Sequence, residues 1–379
     1  MEERINVLEV VYKDPKGEES GGVERYASNI KNVLDKKKFN IIFAFAYTHG
    51  SRINTKNEIC IKIPNIPLFK KLIFNIKLYT YLKKTSWKGV VHINGDNGVF
   101  CTKLKGIRTV FTLHGSSLQY AIVLLKTKPI KFLDILGNIL SGLMELYAYI
   151  NADKITGVSE YCLDFMQKFK SRDHIVIPPG IRKIPFSMDK DRCLSDLKLN
   201  KKRLFCIFVG GSGERKGLNI AISTVGRIKN NEVRLLIVGP RKKPIINNKC
   251  IFLGRVTNLV LEKLYSVSDI LFFPSNYEGF PTVIPEAMAY GVVPLVYDKK
   301  PFNELIDYND GYLVKNKDEF SKMLSKIVKN RKELLKKKKA CRLKAKNFLI
   351  DKLFIRYSKI FEEVYLNVPI RNQLNRQYK

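Results

Sequence analysis

Two glutamates eight residues apart, Glu278 and Glu286, carry the strongest chemical signal in the chain. They lie in the stretch DILFFPSNYEGFPTVIPEAMAYGVVPLV, whose apolar start predicts a buried strand that ends at Pro274-Ser275. Pro285 fits the first turn of a helix that follows. The backbone N–H groups from Gly279 to Val283 would then lie free at a helix N-terminus, where they favour phosphate or sugar oxygens. Glu286, about one turn into the helix, can accept hydrogen bonds from both hydroxyls of a ribose.

A second stretch, FVGGSGERKGLN, supplies positive charge. A predicted strand opens into a glycine-rich turn, and Arg215 and Lys216 come just before a helix. A departing nucleoside diphosphate develops negative charge, and a fixed Arg/Lys pair stabilises that charge without a metal ion. The simpler alternative is a solvated basic helix start.

Together, the two glutamates around GFPT, followed by EAMAYG, resemble the signature of family 4 retaining glycosyltransferases. The resemblance implies that Glu286 holds the ribose of a donor nucleotide and that Glu278 lies near the donor sugar and phosphate. It also implies contacts to the donor from a run of loop residues, namely Gly279, Phe280, Pro281, Thr282 and Val283. The alternative is an ordinary strand-loop-helix connection with two surface glutamates.

One position departs from the family pattern. Many members have an arginine directly after the strand glycine, and this chain has Gly211 there. The local string is more similar to the lipopolysaccharide core glucosyltransferases, in which Arg-Lys-Gly follows such a loop. We therefore expect Arg215 to take over the role of the missing arginine.

Three further segments extend the resemblance over nearly the whole chain, from Ile5 to about Tyr365. Gly21 and Gly22, between a first strand and a helix, correspond to the turn that the family places over the donor diphosphate. His114, at a strand end, corresponds to a histidine that touches the donor sugar, whereas His92 is expected to belong to the sheet. Arg255 and Val256 lie where relatives contact the nucleobase.

The elements that must position these residues read as two α/β series. Apolar runs such as INVLEVVY, NIIFAFAY and VVHIN alternate with helical patterns, and a second series begins at RLFCIFVGG. This alternation predicts parallel, doubly wound sheets whose carboxyl edges bind ligands. The expected fold is GT-B, with two Rossmann-like domains facing each other across a cleft. We place the acceptor domain at residues 1–185, the nucleotide-sugar domain at 186–350, and a helix returning to the first domain at 351–379.

Composition narrows the class of protein. The chain has 379 residues, a net charge of +33 and seven cysteines without a CxxC pair, which favours reduced thiols in a cytoplasmic protein. The N-terminus lacks the pattern of a signal peptide, and no membrane span is expected. The charge reflects either an anionic partner or a general bias of composition towards lysine.

We therefore expect a retaining hexosyltransferase that uses a nucleotide-diphosphate sugar, with UDP favoured over GDP, and that needs no metal ion or other cofactor. The expected acceptor is a glycan or a lipid-linked molecule. A sugar phosphorylase or nucleotide-sugar epimerase is the rival within related folds. A basic nucleic-acid-binding protein is the rival from another class, and it is disfavoured because no nucleic-acid-binding module is present.

A peripheral position on the cytoplasmic face of an anionic membrane is a further expectation. The segment IPLFKKLIFNIKLYTYLKK places apolar residues along one helical face, with lysines towards the flanks and the other face. These apolar residues are Phe69, Leu72, Ile73, Ile76 and Tyr79, and the lysines are Lys70, Lys71, Lys77 and Lys84. A second apolar segment after His114 is interrupted by Lys126, Lys128 and Lys131. The alternative is that both helices pack on the sheet, with their lysines in water.

Overall fold

The computed structural model describes residues 4–17, 20–125, 132–184, 188–201, 203–211, 214–228, 232–239 and 249–366. The chain divides into two compact units. Unit 1 comprises Met1–Pro179 together with Ile350–Lys379, and unit 2 comprises Gly180–Leu349. Each unit is described by itself below.

The described residues of unit 1 form a seven-stranded sheet in which every neighbouring pair of strands is parallel. The strands are β1 (Ile5–Val10), β2 (Phe39–Tyr47), β3 (Glu58–Lys62), β4 (Gly89–Asn94), β5 (Ile107–Leu113), β6 (Lys154–Gly157) and β7 (His174–Val176). The helices of this part are α1 (Gly22–Val33), α2 (Lys70–Lys84), α3 (Ser117–Leu125), α4 (Phe132–Asn151) and α5 (Glu160–Gln167). A 3₁₀ turn at Val99–Lys103 follows β4.

Unit 2 repeats the same design with a six-stranded parallel sheet in the described residues. Its strands are β8 (Leu204–Val209), β9 (Val233–Val238), β10 (Cys250–Gly254), β11 (Ile270–Phe272), β12 (Val293–Tyr297) and β13 (Tyr312–Val314). Its helices are α6 (Lys190–Asp196), α7 (Leu218–Arg227), α8 (Asn258–Val267), α9 (Val283–Ala289), α10 (Phe302–Leu305), α11 (Glu319–Lys329) and α12 (Arg331–Ala345). The 3₁₀ turns of this unit are Glu214–Lys216 and Lys346–Phe348.

The central strands are almost wholly buried because helices cover both faces of each sheet. Every residue of β4, β11 and β12 is buried, and so are five of the six residues of β8. Where the strand order reverses, the connections that leave two neighbouring strands run in opposite directions. They leave a crevice between them at the carboxyl ends of the strands. The strand order reverses between β1 and β4 in unit 1, and between β8 and β11 in unit 2. These are the two places at which ligand-binding residues are expected.

The chain returns to unit 1 through α13 (Ile350–Phe354) and α14 (Arg356–Tyr365). Tyr357 of α14 is fully buried, and its hydroxyl lies 2.9 Å from the Thr112 hydroxyl of β5 and 3.0 Å from that of Tyr26. The Tyr26 hydroxyl in turn donates to the Ile177 carbonyl oxygen at 2.8 Å. The returning helix is therefore part of the core of unit 1.

The connection that follows Pro178 is shorter than the sequence indicates. The polar stretch up to about Asn200 suggested a linker, yet it contains α6. Asp189 caps this helix by accepting hydrogen bonds from the N–H groups of Asp191 and Arg192. All seven cysteines are free thiols, and six of them are buried.

Candidate active site

Three of the charged residues singled out from the sequence of unit 2, Arg215, Lys216 and Glu278, lie at its point of strand-order reversal. β8 leads to Gly210 and then to the turn that carries Arg215 and Lys216, while the adjacent strand β11 leads to Glu278. Parallel neighbours end at the same edge, so these loops meet above the sheet. This arrangement turns two motifs that lie 62 residues apart in the chain into one cluster.

Gly217 allows the two loops to approach. Its φ is +73°, and a Cβ atom built there would lie 2.3 Å from the carbonyl oxygen of Pro274. Glycine alone combines this backbone angle with so close a contact. The glycine of the Arg-Lys-Gly string is therefore what brings the turn against the end of β11.

Backbone groups fasten the loops together. The Asn276 N–H donates to the Arg215 carbonyl oxygen at 2.8 Å, and the Arg215 guanidinium donates to the Tyr277 carbonyl oxygen at 2.6 Å. Both bonds join the turn after β8 to the loop after β11. The guanidinium is thus held in a fixed direction, which is what electrostatic stabilisation of a ligand requires.

The Glu278 carboxylate is the centre of the cluster. It is 7% exposed, and it lies 2.6 Å from Lys216 Nζ and 3.2 Å from the Arg215 guanidinium. The Ser275 hydroxyl, 2.8 Å from the same carboxylate, is positioned to donate to it. Two cations and one carboxylate leave a net positive charge in a largely buried place, so the cluster favours an incoming anion.

Burial destabilises the charged form of the Lys216 side chain. Desolvation lowers the pKa of its ammonium group from the usual value, the charge of Glu278 opposes that shift, and the charge of Arg215 adds to it. The ammonium also lies 5.1 Å from the centre of the Phe273 ring. A negative ligand that approached Lys216 would offset part of this destabilisation.

The loop before α9 differs from the sequence expectation in one respect. The Thr282 N–H is not free, because it donates to the Phe280 carbonyl oxygen at 3.1 Å. The Phe280 ring packs on Phe348 with ring centres 6.2 Å apart. The tight turn Phe280–Thr282 therefore uses one of the N–H groups that the helix start was expected to offer.

Glu286 lies in the first turn of α9 and is partly exposed. Its neighbour on α8 is Tyr265, which is 2% exposed and stacks on Tyr290 with ring centres 5.5 Å apart. Burial raises the pKa of Tyr265 well above its usual value, and the Glu286 carboxylate raises it further. Tyr265 is thus a neutral hydroxyl beside the carboxylate that was assigned to a ribose.

Arg255 and Val256 lie on the loop between β10 and α8, on the carboxyl side of the sheet. Arg255 is exposed and Val256 is partly buried. Thr257 closes this loop by capping α8 through a hydrogen bond from the Val260 N–H. The two residues belong to the same edge of unit 2 as Glu278 and Glu286.

In unit 1, Gly21 caps α1 and Gly22 begins it. The Gly21 N–H donates to Glu24 Oε2 at 2.9 Å, and the Lys13 N–H donates to Glu24 Oε1 at 3.1 Å. Among the described residues, apart from its chain neighbours and the backbone of its own helix, no atom lies within 4 Å of a Cβ built on Gly22. The α1 N-terminus therefore already holds a carboxylate from its own first turn.

His114 follows β5 and is partly buried. Its Nε2 lies 2.9 Å from Asn94 Oδ1, and Asn94 directs its amide nitrogen to Glu9 Oε2 at 3.1 Å. Since the amide oxygen faces the ring, Nε2 carries the proton and Nδ1 is the accepting nitrogen. Burial lowers the pKa of His114 to about 3, and the charge of His92 adds to the shift. The imidazole is neutral at ordinary pH.

His92 lies in β4, wholly within the sheet. Its ring nitrogens lie 2.8 Å from Glu9 Oε2 and 2.6 Å from the Thr112 hydroxyl. His92 thus contacts the Glu9 carboxylate directly, and Asn94 links His114 to the same carboxylate.

Several site residues had no signal of their own in the sequence. Ser275, Tyr265 and Asn94 contact residues that were identified, yet each is a common residue type inside an apolar or strand-end segment. Glu24 could have been found, because an acidic residue three positions after a helix cap is typical of a capping box.

Within the described ranges, no group of three or more His, Cys, Asp or Glu side chains is arranged to hold a metal ion. No helix of the described part is both long enough and apolar enough to cross a membrane.

Family models match both halves of the chain. The model described as Glycosyl transferases group 1 matches residues 189–348, and the model described as Glycosyltransferase Family 4 matches residues 20–183. An uncharacterized glycosyltransferase of Methanocaldococcus jannaschii is 24% identical over 366 residues, covering 91% of this chain and 95% of the relative.

Solved structures share the fold over nearly the full length. Sucrose-phosphate synthase from Thermosynechococcus elongatus superposes with a TM-score of 0.79 at 17% identity, covering 96% of this chain and all of that one. Anabaena HepE in complex with UDP-glucose superposes with a TM-score of 0.71 at 14% identity, covering 95% of this chain and all of that one.

Two Rossmann-like units with parallel sheets define the GT-B fold, which the solved structures share. The family models and the relative of similar length make the protein a glycosyltransferase of this fold. Since the two family models together match most of the chain, the protein belongs to the family 4 type of these enzymes. The fold class predicted from the sequence is confirmed.

Proposed function

We propose that the protein transfers a hexose, with retention of configuration and without a metal ion, from a nucleotide-diphosphate sugar to a glycan or lipid-linked acceptor. The observation that carries this proposal is the Arg215–Lys216–Glu278 cluster at the reversal point of unit 2. It supplies fixed positive charge where an α/β sheet binds ligands. Unit 2 accordingly holds the nucleotide sugar, and unit 1 holds the acceptor.

In this proposal, separate groups of residues bind the nucleoside and the diphosphate of the donor. Glu286 accepts hydrogen bonds from the ribose hydroxyls, with the Tyr265 hydroxyl beside it, and Arg255 and Val256 lie against the base. Arg215 and Lys216 face the diphosphate, where charge grows as the sugar leaves. The neighbouring fold with UDP-glucose bound supports UDP as the nucleotide to test first.

The configuration at the sugar C1 is retained because the acceptor attacks C1 from the same face that the diphosphate leaves. The bond between the sugar C1 and the diphosphate oxygen breaks, and its electron pair stays on the diphosphate, which Arg215 and Lys216 stabilise. The acceptor oxygen bonds to C1, and its proton passes to the departing diphosphate oxygen. No separate base is then needed.

The competing mechanism is a double displacement in which the Glu278 carboxylate is the nucleophile. The contacts of this carboxylate disfavour it. The carboxylate is held by Lys216, Arg215 and Ser275 at once. Such contacts stabilise the anion and lower its tendency to attack carbon. We assign Glu278 instead to holding the two cations and to contacting the donor sugar, together with the Gly279–Val283 loop.

His114 acts as a hydrogen-bond acceptor for a donor-sugar hydroxyl. Its Nε2–H is occupied by Asn94, and its pKa near 3 keeps Nδ1 unprotonated. We assign Gly21 and Gly22 to contacts with the donor diphosphate, as the family resemblance implies.

The acceptor is proposed to lie at an anionic membrane surface, on the cytoplasmic face. The support is a set of large apolar side chains that are exposed on α3 and α4: Ile122, Leu125, Phe132, Leu133 and Leu143. Several exposed apolar side chains on two helices that pack together are typical of membrane or partner contact. Lys126, Lys128 and Lys131, which were expected to flank it, lie outside the described residues.

The α2 helix supports the membrane proposal only in part. Phe69 and Ile76 are about half exposed, as the amphipathic pattern suggested. Lys71, however, lies 2.8 Å from the Asp96 carboxylate, which raises the pKa of its ammonium group. This lysine is therefore occupied within unit 1.

The rival functions are weaker. A nucleic-acid-binding protein does not account for matches to glycosyltransferase family models over both halves. A phosphorylase or epimerase of related fold would also bind a phosphorylated sugar, so the acceptor-dependent step must be measured directly.

Donor binding gives the first test. A screen of UDP, GDP and ADP by thermal shift should identify the nucleotide, because a ligand at 100 times its Kd adds about 2.7 kcal/mol of stability. Glu286→Ala should then weaken nucleotide binding by about 1.5–3 kcal/mol, the usual loss for hydrogen bonds to a charged group. Glu333→Ala on α12 is the matched control and should bind normally. Wild-type affinity in a folded Glu286→Ala protein would contradict the assignment.

A further inference from the structure

Unit 2 contains a cavity that the proposed transfer reaction does not use. Its volume is about 370 Å³, and its lining includes Arg203, Phe205, Arg234, Leu236 and Leu253. Arg203 immediately precedes β8, and Phe205 and Arg234 are the second residues of β8 and β9, whereas Leu236 lies in the middle of β9 and Leu253 near the end of β10. The two arginines of the cavity therefore lie at the amino ends of β8 and β9, whereas the donor cluster lies at the carboxyl ends of the strands.

One wall of the cavity is apolar. The register of the sheet pairs Phe205 of β8 with Arg234 of β9, and Leu236 of β9 with Ile251 of β10. Leu264 of α8 closes the cavity from the helix layer. The volume lies in the range of small-molecule sites, which combine such apolar walls with a few polar groups.

The charged groups of the lining are all cationic, and Asn200 is a neutral polar residue beside them. Arg203, Arg234 and Lys198 line the cavity, and no carboxylate is among its lining residues in the described part of the chain. Buried arginines are ordinarily paired with an acid. Two arginines on one cavity, with no acid beside them, are complementary to a negative ligand.

The arginines also have unused donors. Arg203 Nη1 and Arg234 Nε are buried, and among the residues that the structure describes neither has a hydrogen-bond partner. Burial and the charge of Arg203 lower the pKa of Arg234 from its usual value. A buried N–H group without an acceptor costs free energy, and an anion bound between the two side chains would recover it.

We propose that this cavity binds an amphiphilic anion. A phosphate or carboxylate group accepts hydrogen bonds from Arg203 and Arg234, and an apolar body packs against Phe205, Leu236, Leu253 and Leu264. Guanidinium groups suit such oxyanions because they donate in a fixed, planar geometry. The proposal does not depend on the sugar-transfer reaction, since no residue of the cavity belongs to the donor site.

Calorimetric titration of the full chain tests the site. Octyl phosphate should bind at least about tenfold more tightly than inorganic phosphate or octanol, because each of these probes lacks one half of the required contacts. Phenyl phosphate distinguishes two kinds of natural ligand, a soluble phosphorylated metabolite and a lipid with a phosphate group. Binding equal to that of octyl phosphate indicates a soluble phosphorylated metabolite, and much weaker binding indicates a lipid chain.

Variants assign the binding to this cavity. The double variant Arg203→Gln, Arg234→Gln should lose at least about tenfold in affinity for octyl phosphate. It should fold, because neither side chain has a partner to lose at the buried nitrogens. Arg227→Gln, an exposed arginine of α7, is the control and should bind like the wild type.

Leu253→Trp provides an independent check, since it fills the apolar part and leaves both arginines in place. It should weaken the binding of octyl phosphate and leave that of inorganic phosphate unchanged. Undiminished octyl phosphate binding in the double arginine variant, or equal binding of octyl phosphate and inorganic phosphate by the wild type, overturns the proposal.

Discussion

Lys216 combines a buried position, a lowered pKa and direct contact with the Glu278 carboxylate. If it stabilises the departing diphosphate, Lys216→Ala should lower turnover by about 100-fold or more, the usual effect of removing one transition-state contact. Stability should change little, because Glu278 keeps Arg215 and Ser275. Steady-state kinetics with Lys322→Ala, an exposed lysine of α11, as the control measures the difference.

The same assay tests the absence of a metal requirement. Turnover of the wild type should be unaffected by EDTA, since Arg215 and Lys216 supply the positive charge. Activity that is lost with EDTA and restored by manganese would show this part of the proposal to be wrong.

His114 makes the free energy of unfolding depend on pH. Its pKa is about 3 in the folded protein and about 6.5 in the unfolded chain, so the unfolded chain binds the extra proton between these values. Stability therefore falls as pH falls through that window, by up to about 1.4 kcal/mol per pH unit from this group. Urea unfolding of His114→Gln from pH 7 to pH 4 should show a flatter profile than the wild type.

His174 is the opposite case and serves as the control. Its hydrogen bond to Glu160 raises its pKa, so its stabilising contribution is present at low pH and lost as pH rises through the folded value. His174→Gln should therefore destabilise more at pH 5.5 than at pH 8. An unchanged profile in His114→Gln would contradict the neutral, buried imidazole.

At this scale the sequence predicted charged residues better than their neighbours. Glu278, Glu286, Arg215 and Lys216 were singled out because they lie in motifs whose spacing resembles that of a known family. Tyr265 was not identified, because a tyrosine in the helical pattern of α8 is indistinguishable from a core residue. Its proximity to Glu286 depends on the packing of α8 beside α9, which no local pattern encodes.

At the scale of elements, Gly217 fixes the contact between the turn after β8 and the end of β11. Gly217→Ala should destabilise unit 2 by about 3 kcal/mol, because a Cβ at φ +73° would meet the Pro274 carbonyl oxygen. Gly226→Ala in α7 is the matched control, since no atom lies within 4 Å of its Cβ. It should stabilise by about 0.5 kcal/mol. Thermal unfolding of both variants measures the two effects, and equal stability would show that the loop adapts.

All the central strands were predicted from the sequence, and two of the four edge strands were missed. Long apolar runs such as β2 and β4 are buried on both faces and read clearly in the sequence. The two strands that were missed, β3 and β13, are outermost in their sheets and have five and three residues. An edge strand pairs on one side only, so a short and partly polar segment suffices to form it.

At the scale of the whole molecule, the exposed apolar side chains of α3 and α4 are the feature to test. The protein should sediment with vesicles that contain anionic lipid, and binding should fall with salt, because each lysine near the surface contributes about 1 kcal/mol and is screened beyond about 10 Å at 0.1 M. Replacing Phe132 and Leu133 by Ser should abolish sedimentation. The same change at Leu335 and Leu343, exposed on α12, is the control. A protein that stays in the supernatant at low salt would favour a soluble acceptor.

The chain connections of unit 2 have a consequence for synthesis on the ribosome. Unit 1 is built from two separate stretches, and its core needs Tyr357, which is made only after the whole of Gly180–Leu349. Unit 2 is a continuous segment, and its first and last residues are adjacent, since the Ile181 N–H donates to the Phe348 carbonyl oxygen at 2.7 Å. Once unit 2 folds, its two ends are held together, so the insertion connects the two stretches of unit 1 as a short loop would. The conformational entropy of bringing these stretches together is then lost during the folding of unit 2. The nascent seven-stranded sheet can then capture α14 without a further long-range search.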